Sequence, residues 1–343
     1  MTNLSTKSIA NLCMGVCLLL LLSTIQSCKK HQEIPETPVF KVTTLATGFH
    51  EPIGLETDEK GRVWVAETGT GKGDGRVSVI TANGKVYPVI IQLESFITGG
   101  GEIEGPAHIL FADGILYILG GHGKLYKANV ANFKIGDAPI KASKLAFEDI
   151  GGFVLSYNFE KNTHETHPYN LTVGPNGAIF ITDAAANAII RRAKNGNLSV
   201  LAEVPGIANP LPFGPPVLQS VPTGIIYDGQ HFLVTTLMGF PFPTNKAIIY
   251  KISTSGNVSI YQQGFTTLVA IIKGNSFGKI VLEHGKFGPT GFILNTGRMV
   301  LANGNTATPL VEGLNTPAGL TQYNDNTWYI TSVGDGSVLK ITY

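Results

Sequence analysis

The sequence predicts an all-β fold, a six-bladed β-propeller built from four-stranded antiparallel blades. Three observations favour it: frequent turn-forming residues, a repeat of about 53 residues, and a strand pattern at each end of the repeats. Of the 343 residues, 41 are Gly, 19 are Pro and 43% are hydrophobic. Glycines and prolines this frequent exclude long helices, whereas the apolar content is sufficient for an extensive core.

The repeat begins with a proline that is followed by a small residue and then an aliphatic residue. Five copies keep the proline and one has leucine in its place: Pro52, Pro106, Pro168, Pro222, Leu268 and Pro317. An alternating apolar segment typical of a strand follows each copy, as in 62–67 and 178–183. Turn sequences such as Asn83-Gly84 indicate hairpins behind these strands. Six copies therefore predict six blades.

The ends of the repeat array predict how the ring closes. A strand pattern at 40–45 precedes the first copy, and another at 337–342 ends the chain. We expect these strands to pair in the last blade, because an open ring would leave a sheet edge free to bind other chains. The segment 142–166 is longer than a connection between blades requires. We expect 148–162 to be a loop inserted beside the third blade.

The N-terminus carries an export signal. Lys7 precedes an apolar segment, 12–22, which is too short to span a bilayer comfortably. The sequence Ile-Gln-Ser-Cys at 25–28 follows it and resembles the lipobox of bacterial lipoproteins, in which the cysteine is lipidated. The alternative is an ordinary signal peptide with an incidental cysteine.

The lipobox predicts the domain organisation. We expect a lipoprotein signal peptide at 1–27, the lipidated Cys28 and a tether at 28–38, and the propeller at 39–343. Acyl chains on Cys28 would attach the exported protein to the bacterial cell envelope, on the periplasmic face or at the cell surface. The signal peptide would remove Cys13 and Cys17, so the mature chain would contain no internal disulfide.

The charge of the chain excludes one class of function. There are 25 Lys and Arg residues against 24 Asp and Glu residues, which gives a formal net charge of +1. No long basic run occurs in the sequence. Because nucleic-acid binders concentrate positive charge on one surface, no nucleic acid is expected as a partner.

Five segments resemble the ScyD/ScyE family of secreted, NHL-like propellers. They are 64–71, 74–77, 167–171, 182–188 and 239–243, of which the last, Gly-Phe-Pro-Phe-Pro, is the most specific. The match extends from about residue 40 to the last residue, in the order of that family's blades. The resemblance implies an exported six-bladed propeller. It implies no particular reaction, since the family has no agreed catalytic residues.

Polar side chains concentrate where the inner strands of blades one to three begin. His108 and Asn170 occupy the same position in neighbouring blades, and Glu104 and His167 precede the corresponding strands. We expect these four residues to form one ligand-binding pocket at the mouth of the central channel, where propellers usually bind ligands. Such side chains can serve as ligands or acid–base groups. Alternatively, they cap strand ends and bind neighbouring backbone.

Other conspicuous side chains are interpreted first as structural. Asp183 and Asn187 flank a turn and are predicted to form hydrogen bonds within it. Phe240 and Phe242, held between prolines, are predicted either to form an exposed recognition patch or to cover the core of a blade.

Three functions of different classes remain open. The leading hypothesis is an envelope propeller that binds a small molecule or an envelope protein at the channel mouth. The second is a lactonase or hydrolase that depends on calcium or zinc. Glu104 and Asn170 resemble ligand positions of the gluconolactonase family, although Thr223 stands near the expected aspartate. The third is a scaffold without a ligand. No nucleophile-elbow or phosphate-loop motif occurs in the sequence.

Overall fold

The computed structural model of the chain describes residues 39–275 and 277–343. These residues form six sheets around a central channel, and the inner strand of every sheet contacts the inner strands of its two neighbours. The predicted six-bladed propeller is therefore confirmed. The predicted signal peptide, Cys28 and the tether lie outside the described residues. No helix among the described residues is long and apolar enough to cross a membrane.

Each blade is a meander that runs from an inner strand at the channel to an outer strand at the surface. In the first half of the chain, the strands are Pro52–Thr57, Val63–Glu67, Gly75–Ile80 and Val86–Leu93 in blade 1; Ile109–Ala112, Ile115–Gly120, Lys124–Ala128 and Ala146–Asp149 in blade 2; and Pro168–Val173, Ile179–Asp183, Ala188–Arg192 and Leu198–Glu203 in blade 3. In the second half, they are Pro222–Tyr227, His231–Thr236, Ala247–Ser253 and Val258–Phe265 in blade 4; Leu268–Gly274, Gly278–Glu283, Gly297–Ala302 and Ala307–Leu314 in blade 5; and Pro317–Asn324, Thr327–Ser332, Ser337–Thr342 and Lys41–Thr47 in blade 6.

Short elements extend the blades. Three two-stranded hairpins pair Phe96–Ile97 with Ile103–Glu104, Ile207–Ala208 with Val217–Leu218, and Phe287–Gly288 with Gly291–Phe292. Three 3-10 turns span Gly121–Gly123, Ala142–Lys144 and Pro175–Gly177, and an α-helix spans Ile150–Ser156. Asp149 caps this helix by accepting a hydrogen bond from the Gly152 amide.

The N-terminal strand closes the ring as predicted. Lys41–Thr47 pairs antiparallel with Ser337–Thr342, from Lys41 opposite Thr342 to Thr47 opposite Ser337. Phe40, just before the strand, packs against Trp328 with the ring centroids 5.7 Å apart. Closure therefore combines a hydrogen-bonded strand pair with an aromatic contact.

The predicted insertion is confirmed in part. Ala146–Asp149 is the outer strand of blade 2, so the predicted segment 148–162 begins inside a blade, whereas 150–162, which includes the helix, belongs to the connection from blade 2 to blade 3. A second long segment, 129–145, precedes the strand Ala146–Asp149. Part of it, Ile140–Lys141, adds a fifth strand that runs parallel to Val86–Leu93 of blade 1. Blade 1 therefore departs from the predicted four-stranded pattern, because this segment covers its outer edge.

The hydrophobic core is divided into layers between adjacent blades. Trp64 of blade 1 packs with Ile118 of blade 2, and Trp328 of blade 6 packs with Leu282 of blade 5. On the inner strand of blade 1, Leu55 enters a core layer and Glu56 lines the channel. The channel is lined by residues of the inner strands of all six blades.

Small residues let the inner strands approach one another closely. A Cβ atom on Gly54 would lie 2.5 Å from Cα of His108, and one on Gly319 would lie 2.2 Å from the carbonyl oxygen of Ile53. A side chain at either position would therefore force the neighbouring inner strands apart. The channel is consequently narrow at this level of the strands.

A ring of hydrogen bonds joins each blade to the next at the same end of the channel. In every blade a hydroxyl or an imidazole lies 2.6–3.1 Å from a backbone carbonyl oxygen of the following blade. The pairs are Thr68 with Pro106, His108 with Tyr169, Thr182 with Thr223, Thr223 with Leu268, His284 with Pro317, and Thr331 with Ile53. We call this set the interblade ring.

Candidate functional site

A cavity of about 890 Å³ opens at the end of the channel where the inner strands begin. Its rim comes from the loops that lead into the inner strands of blades 2, 3 and 4. Loops that enter the inner strands are the part of a propeller that can vary without disturbing the blades. We call this cavity the mouth.

Glu104 and His167 meet in the mouth. Oε1 of Glu104 lies 3.4 Å from Nδ1 of His167, and both side chains are partly buried. The hydrogen bond with His167 lowers the pKa of Glu104 below its usual value. A carboxylate and an imidazole at this distance can bind a polar ligand together or exchange a proton with it.

Asp183 holds the loop that carries His167. Its buried carboxylate accepts hydrogen bonds from the His167 amide at 2.9 Å, the Thr166 hydroxyl at 2.6 Å and the Ala186 amide at 2.9 Å. Burial raises the pKa of Asp183, and these three bonds oppose that effect. The local hydrogen bonding predicted for Asp183 is confirmed, and it also positions a residue of the mouth.

The mouth is lined by acidic and neutral side chains. Three carboxylates, Glu102, Glu104 and Glu165, contribute to it together with His164 and His167. None of its lining residues in the described part of the chain is Lys or Arg. An unbalanced set of carboxylates attracts cations and disfavours anions. The mouth therefore suits neutral or positively charged ligands.

His108 and Asn170 line a different cavity. It has a volume of about 270 Å³ and extends along the channel toward the ends of the inner strands. Glu104 and His167 are not among its lining residues, so the four predicted residues form two pairs in two cavities. The four residues do not share one cavity because an extended chain rises about 3.3 Å per residue, which separates Glu104 from His108 along the channel.

His108 belongs to the interblade ring. Because the carbonyl oxygen of Tyr169 can only accept, Nδ1 of His108 carries the proton in this 2.8 Å bond. Burial lowers the pKa of His108 to about 4, so its imidazole is neutral at pH 7. His108 therefore forms a hydrogen bond to neighbouring backbone, which was the alternative role predicted for it.

Sequence reasoning missed Glu56. This residue lines the channel cavity, where the side chains of Leu110, Ile226 and Ile272 form apolar walls. Burial in these surroundings raises the pKa of Glu56 to about 7. Its position directly after the core residue Leu55 was a usable signal, since successive side chains of a strand point to opposite faces.

The residues present do not form a metal site of the gluconolactonase type. Among the described residues, no three His, Cys, Asp or Glu side chains lie close enough together to hold a metal ion. Glu104 and Asn170, which resemble ligand positions of that family, line different cavities. The hydroxyl of Thr223, near the expected aspartate, lies 2.8 Å from the Leu268 carbonyl oxygen.

The two phenylalanines of the Gly-Phe-Pro-Phe-Pro segment have different surroundings. Phe242 packs against Phe287 and Phe292, with centroids 4.8 and 5.4 Å away, and so covers a hairpin of blade 5. Phe240 is 55% exposed and borders a surface cleft of about 530 Å³ together with Phe213. Phe240 is therefore exposed, as the first interpretation requires, whereas Phe242 covers a hairpin and not the core of a blade.

Comparisons with known proteins identify the fold. No protein-family model and no curated protein matches this sequence. A gluconolactonase from Xanthomonas campestris has a TM-score of 0.56 at 12% identity, with 88% of this chain and 89% of that chain covered. This chain has a six-bladed β-propeller fold that is similar to the fold of this gluconolactonase.

Two further solved structures are similar to this chain in fold. The PQQ-bound aldose sugar dehydrogenase from Streptomyces coelicolor has a TM-score of 0.57 at 13% identity, with 89% of this chain and 99% of that chain covered. A streptogramin B lyase has a TM-score of 0.51 at 18% identity, with 88% and 97% covered. Identities this low show a shared architecture, and proteins of one fold carry out different reactions.

Proposed function

We propose that this protein is a ligand-binding propeller of the bacterial cell envelope and that its mouth binds a small neutral or cationic molecule. The observation that carries the proposal is the Glu104–His167 pair, held partly buried in a cavity of about 890 Å³. A cavity of this size with a few convergent polar groups is typical of small-molecule sites. The resemblance to the ScyD/ScyE propellers supports export of the propeller.

Replacing Glu104 tests the mouth. We expect a thermal-shift panel of neutral sugars, organic amines and carboxylic acids to yield ligands among the sugars and amines only. Glu104→Gln should weaken their binding at least tenfold, because it removes a charged hydrogen-bond acceptor and its contact with His167. Glu312→Gln, an exposed change on the outer strand of blade 5, should leave the affinity unchanged. Equal binding by wild type and Glu104→Gln would contradict the proposal.

A lactonase or hydrolase is the second candidate function, although the described residues do not form the metal site of a gluconolactonase. The fold similarity to the gluconolactonase from Xanthomonas campestris and the acid–base character of the Glu104–His167 pair favour it. The same purified protein distinguishes the two functions. Stoichiometric calcium or zinc together with hydrolysis of a sugar lactone would support the enzyme. Protein without metal, whose Tm is unchanged by a chelator, would support binding alone.

We further propose that acyl chains on Cys28 anchor the propeller in the envelope. The closing strand begins at Lys41, which pairs with Thr342 at the end of blade 6 away from the mouth. A tether that joins the propeller at this end leaves the mouth accessible to ligands. The charge is close to balanced, so the acyl chains would supply the membrane affinity.

Cys28→Ser tests the anchor. We expect the wild-type protein to sediment with membranes and the variant to lose fatty-acid labelling and to become soluble or remain unprocessed, because serine lacks the thiol to which the lipid would be attached. Labelled fatty acid would be followed in cells that express each form. Cys13→Ser, inside the predicted signal peptide, serves as the control and should keep the label. Incorporation of fatty acid into the Cys28→Ser protein would rule the anchor out.

A further inference from the structure

A cleft of about 530 Å³ lies at the mouth end of blades 4 and 5, outside the ring of inner strands. Three loops form it: 209–216, which precedes the inner strand of blade 4; 237–246, which joins the second and third strands of that blade; and 284–296, which joins the corresponding strands of blade 5. We call it the aromatic cleft. It has no lining residue in common with the mouth or with the channel cavity, so it is a separate candidate site.

Two exposed phenylalanines line the aromatic cleft. Phe213 is 56% exposed and Phe240 is 55% exposed. The ring of Phe240 lies 6.2 Å from that of Phe242 and 6.1 Å from that of Phe287, at interplanar angles of 87° and 90°. Edge-to-face contacts of this kind are favourable between aromatic rings. Because more than half of Phe213 and of Phe240 remains exposed to solvent, the cleft has room for a further aromatic ring.

Hydrogen bonds fix the loop that carries Phe213. Nδ2 of Asn209 donates to the carbonyl oxygens of Phe213 and Pro215, both at 2.8 Å. A Cβ atom on Gly214 would lie 3.1 Å from Cδ of Pro241, so this loop is in close contact with the second loop of the cleft. Contacts within the chain therefore hold these two loops together, and little ordering is required of them when a ligand binds.

The backbone of Phe242 is strained. Its φ is +53°, in the left-handed region that is unfavourable for a bulky residue. The Phe242 amide donates to the carbonyl oxygen of Gly239 at 3.0 Å, and its ring packs against Phe287 and Phe292. Strain of this kind persists only where surrounding contacts impose it, and it is concentrated at functional sites such as ligand clamps. The segment therefore holds its two phenylalanines in one conformation.

Lys246 gives the aromatic cleft a positive charge. Among the described residues that line the cleft, it is the only one with a charged side chain. Lys246 is exposed, and no carboxylate in the described part of the chain forms an ion pair with it. An ammonium group without a counter-ion attracts anions and disfavours cations. A ligand that complements both the rings and this charge is aromatic and carries a carboxylate.

We propose that the aromatic cleft is a second binding site, which takes a small aromatic carboxylate. The ring of the ligand packs against Phe213 and Phe240, and its carboxylate pairs with Lys246. A volume of about 530 Å³ is within the range of small-molecule sites. The mouth is lined by three carboxylates and the aromatic cleft by one lysine, so the two sites favour ligands of opposite charge.

Titration calorimetry with 2-naphthoate tests the proposal on the folded protein. We expect one molecule to bind per chain with a Kd below about 1 mM, and acetate, which lacks the ring, not to bind at the same concentrations. Lys246→Gln and Phe240→Ala should each weaken binding at least about fivefold, because they remove the ion pair and an aromatic wall. Glu104→Gln, which alters the mouth, should leave this affinity unchanged. The carboxylic acids in the panel for the mouth are accordingly aliphatic, so that none of them binds in the aromatic cleft.

Lys85→Gln and Phe147→Ala are the matched controls. Lys85 is exposed in a hairpin of blade 1, and Phe147 is 50% exposed on the outer strand of blade 2. Both control variants should bind 2-naphthoate as tightly as wild type does. Equal losses of affinity in the controls and in the cleft variants would show that 2-naphthoate binds to exposed side chains without a defined site.

The salt dependence of binding tests the ion pair separately. Raising NaCl from about 0.05 M to about 0.5 M should weaken binding to wild type, because it screens exposed charges, and should have much less effect in Lys246→Gln. This comparison also holds if Phe240→Ala fails to fold. Absence of 2-naphthoate binding, an equal salt dependence in the two proteins, or binding lost in Glu104→Gln alone would each overturn the proposal. The last result would place the anion in the mouth and contradict the charge preference proposed for it.

Discussion

Deletion of residues 39–48 is expected to destabilise the whole propeller, because these residues include the strand that closes the ring. The deletion removes the six paired positions with Ser337–Thr342 and the packing of Phe40 against Trp328. It also exposes the edge of a strand in blade 6. We expect a loss of about 5 kcal/mol in the free energy of unfolding and a fall in Tm of about 10 °C or more.

Calorimetry of a chain that starts at residue 29, with and without the deletion, measures this effect. A synthetic peptide of residues 39–48 added to the deleted protein should restore part of the lost stability, whereas a scrambled peptide should not. If the two proteins melt within about 2 °C of each other, pairing of this strand contributes little to the stability of the propeller. The contacts between blades would then be sufficient to hold the six blades together.

Gly319→Ala is expected to have the second largest effect, although it adds one methyl group. The added Cβ would lie 2.2 Å from the Ile53 carbonyl oxygen and 3.0 Å from Oγ1 of Thr331. To relieve this overlap, the inner strands of blades 6 and 1 must separate. Separation would break the interblade bond of 2.7 Å from Thr331 to Ile53. We expect a loss of about 3 kcal/mol in the free energy of unfolding.

Gly99→Ala provides the matched control for this substitution. A Cβ atom on Gly99 would have no neighbour within 4 Å. The free energy of unfolding of the Gly99→Ala variant should therefore differ from wild type by less than about 0.5 kcal/mol. Urea denaturation of the two variants and wild type gives the comparison. Equal midpoints for Gly319→Ala and wild type would show that the inner strands of blades 6 and 1 do not pack as tightly as described.

Sequence reasoning located part of the candidate site. It placed Glu104 and His167 at the mouth, where they are in contact, and it paired His108 with Asn170 in one cavity. It treated the two pairs as one pocket. Alignment of the repeats shows which residues occupy equivalent positions in their blades, but it does not show how far along the channel axis each side chain lies. It also overlooked Glu56, which no motif marked.

The sequence by itself determined the number of blades, the starts of the inner strands and the closing strand. Prolines before inner strands, two-residue alternation and glycine turns act over a few residues, so they can be recognised without tertiary contacts. The recurrence of six copies in this one chain then implied a closed ring of six blades. For the same reason Gly54 and Gly319 could be noted as small residues before their close contacts were known.

Only the tertiary structure decided what the polar side chains do. The proton on Nδ1 of His108 depends on the carbonyl oxygen of Tyr169 in the next blade, 61 positions away in the sequence. The raised pKa of Glu56 depends on apolar residues from three other blades. Whether a polar group is satisfied or left free for a ligand is set by such neighbours, because hydrogen bonding and desolvation act at distances of a few ångströms in space and not along the chain.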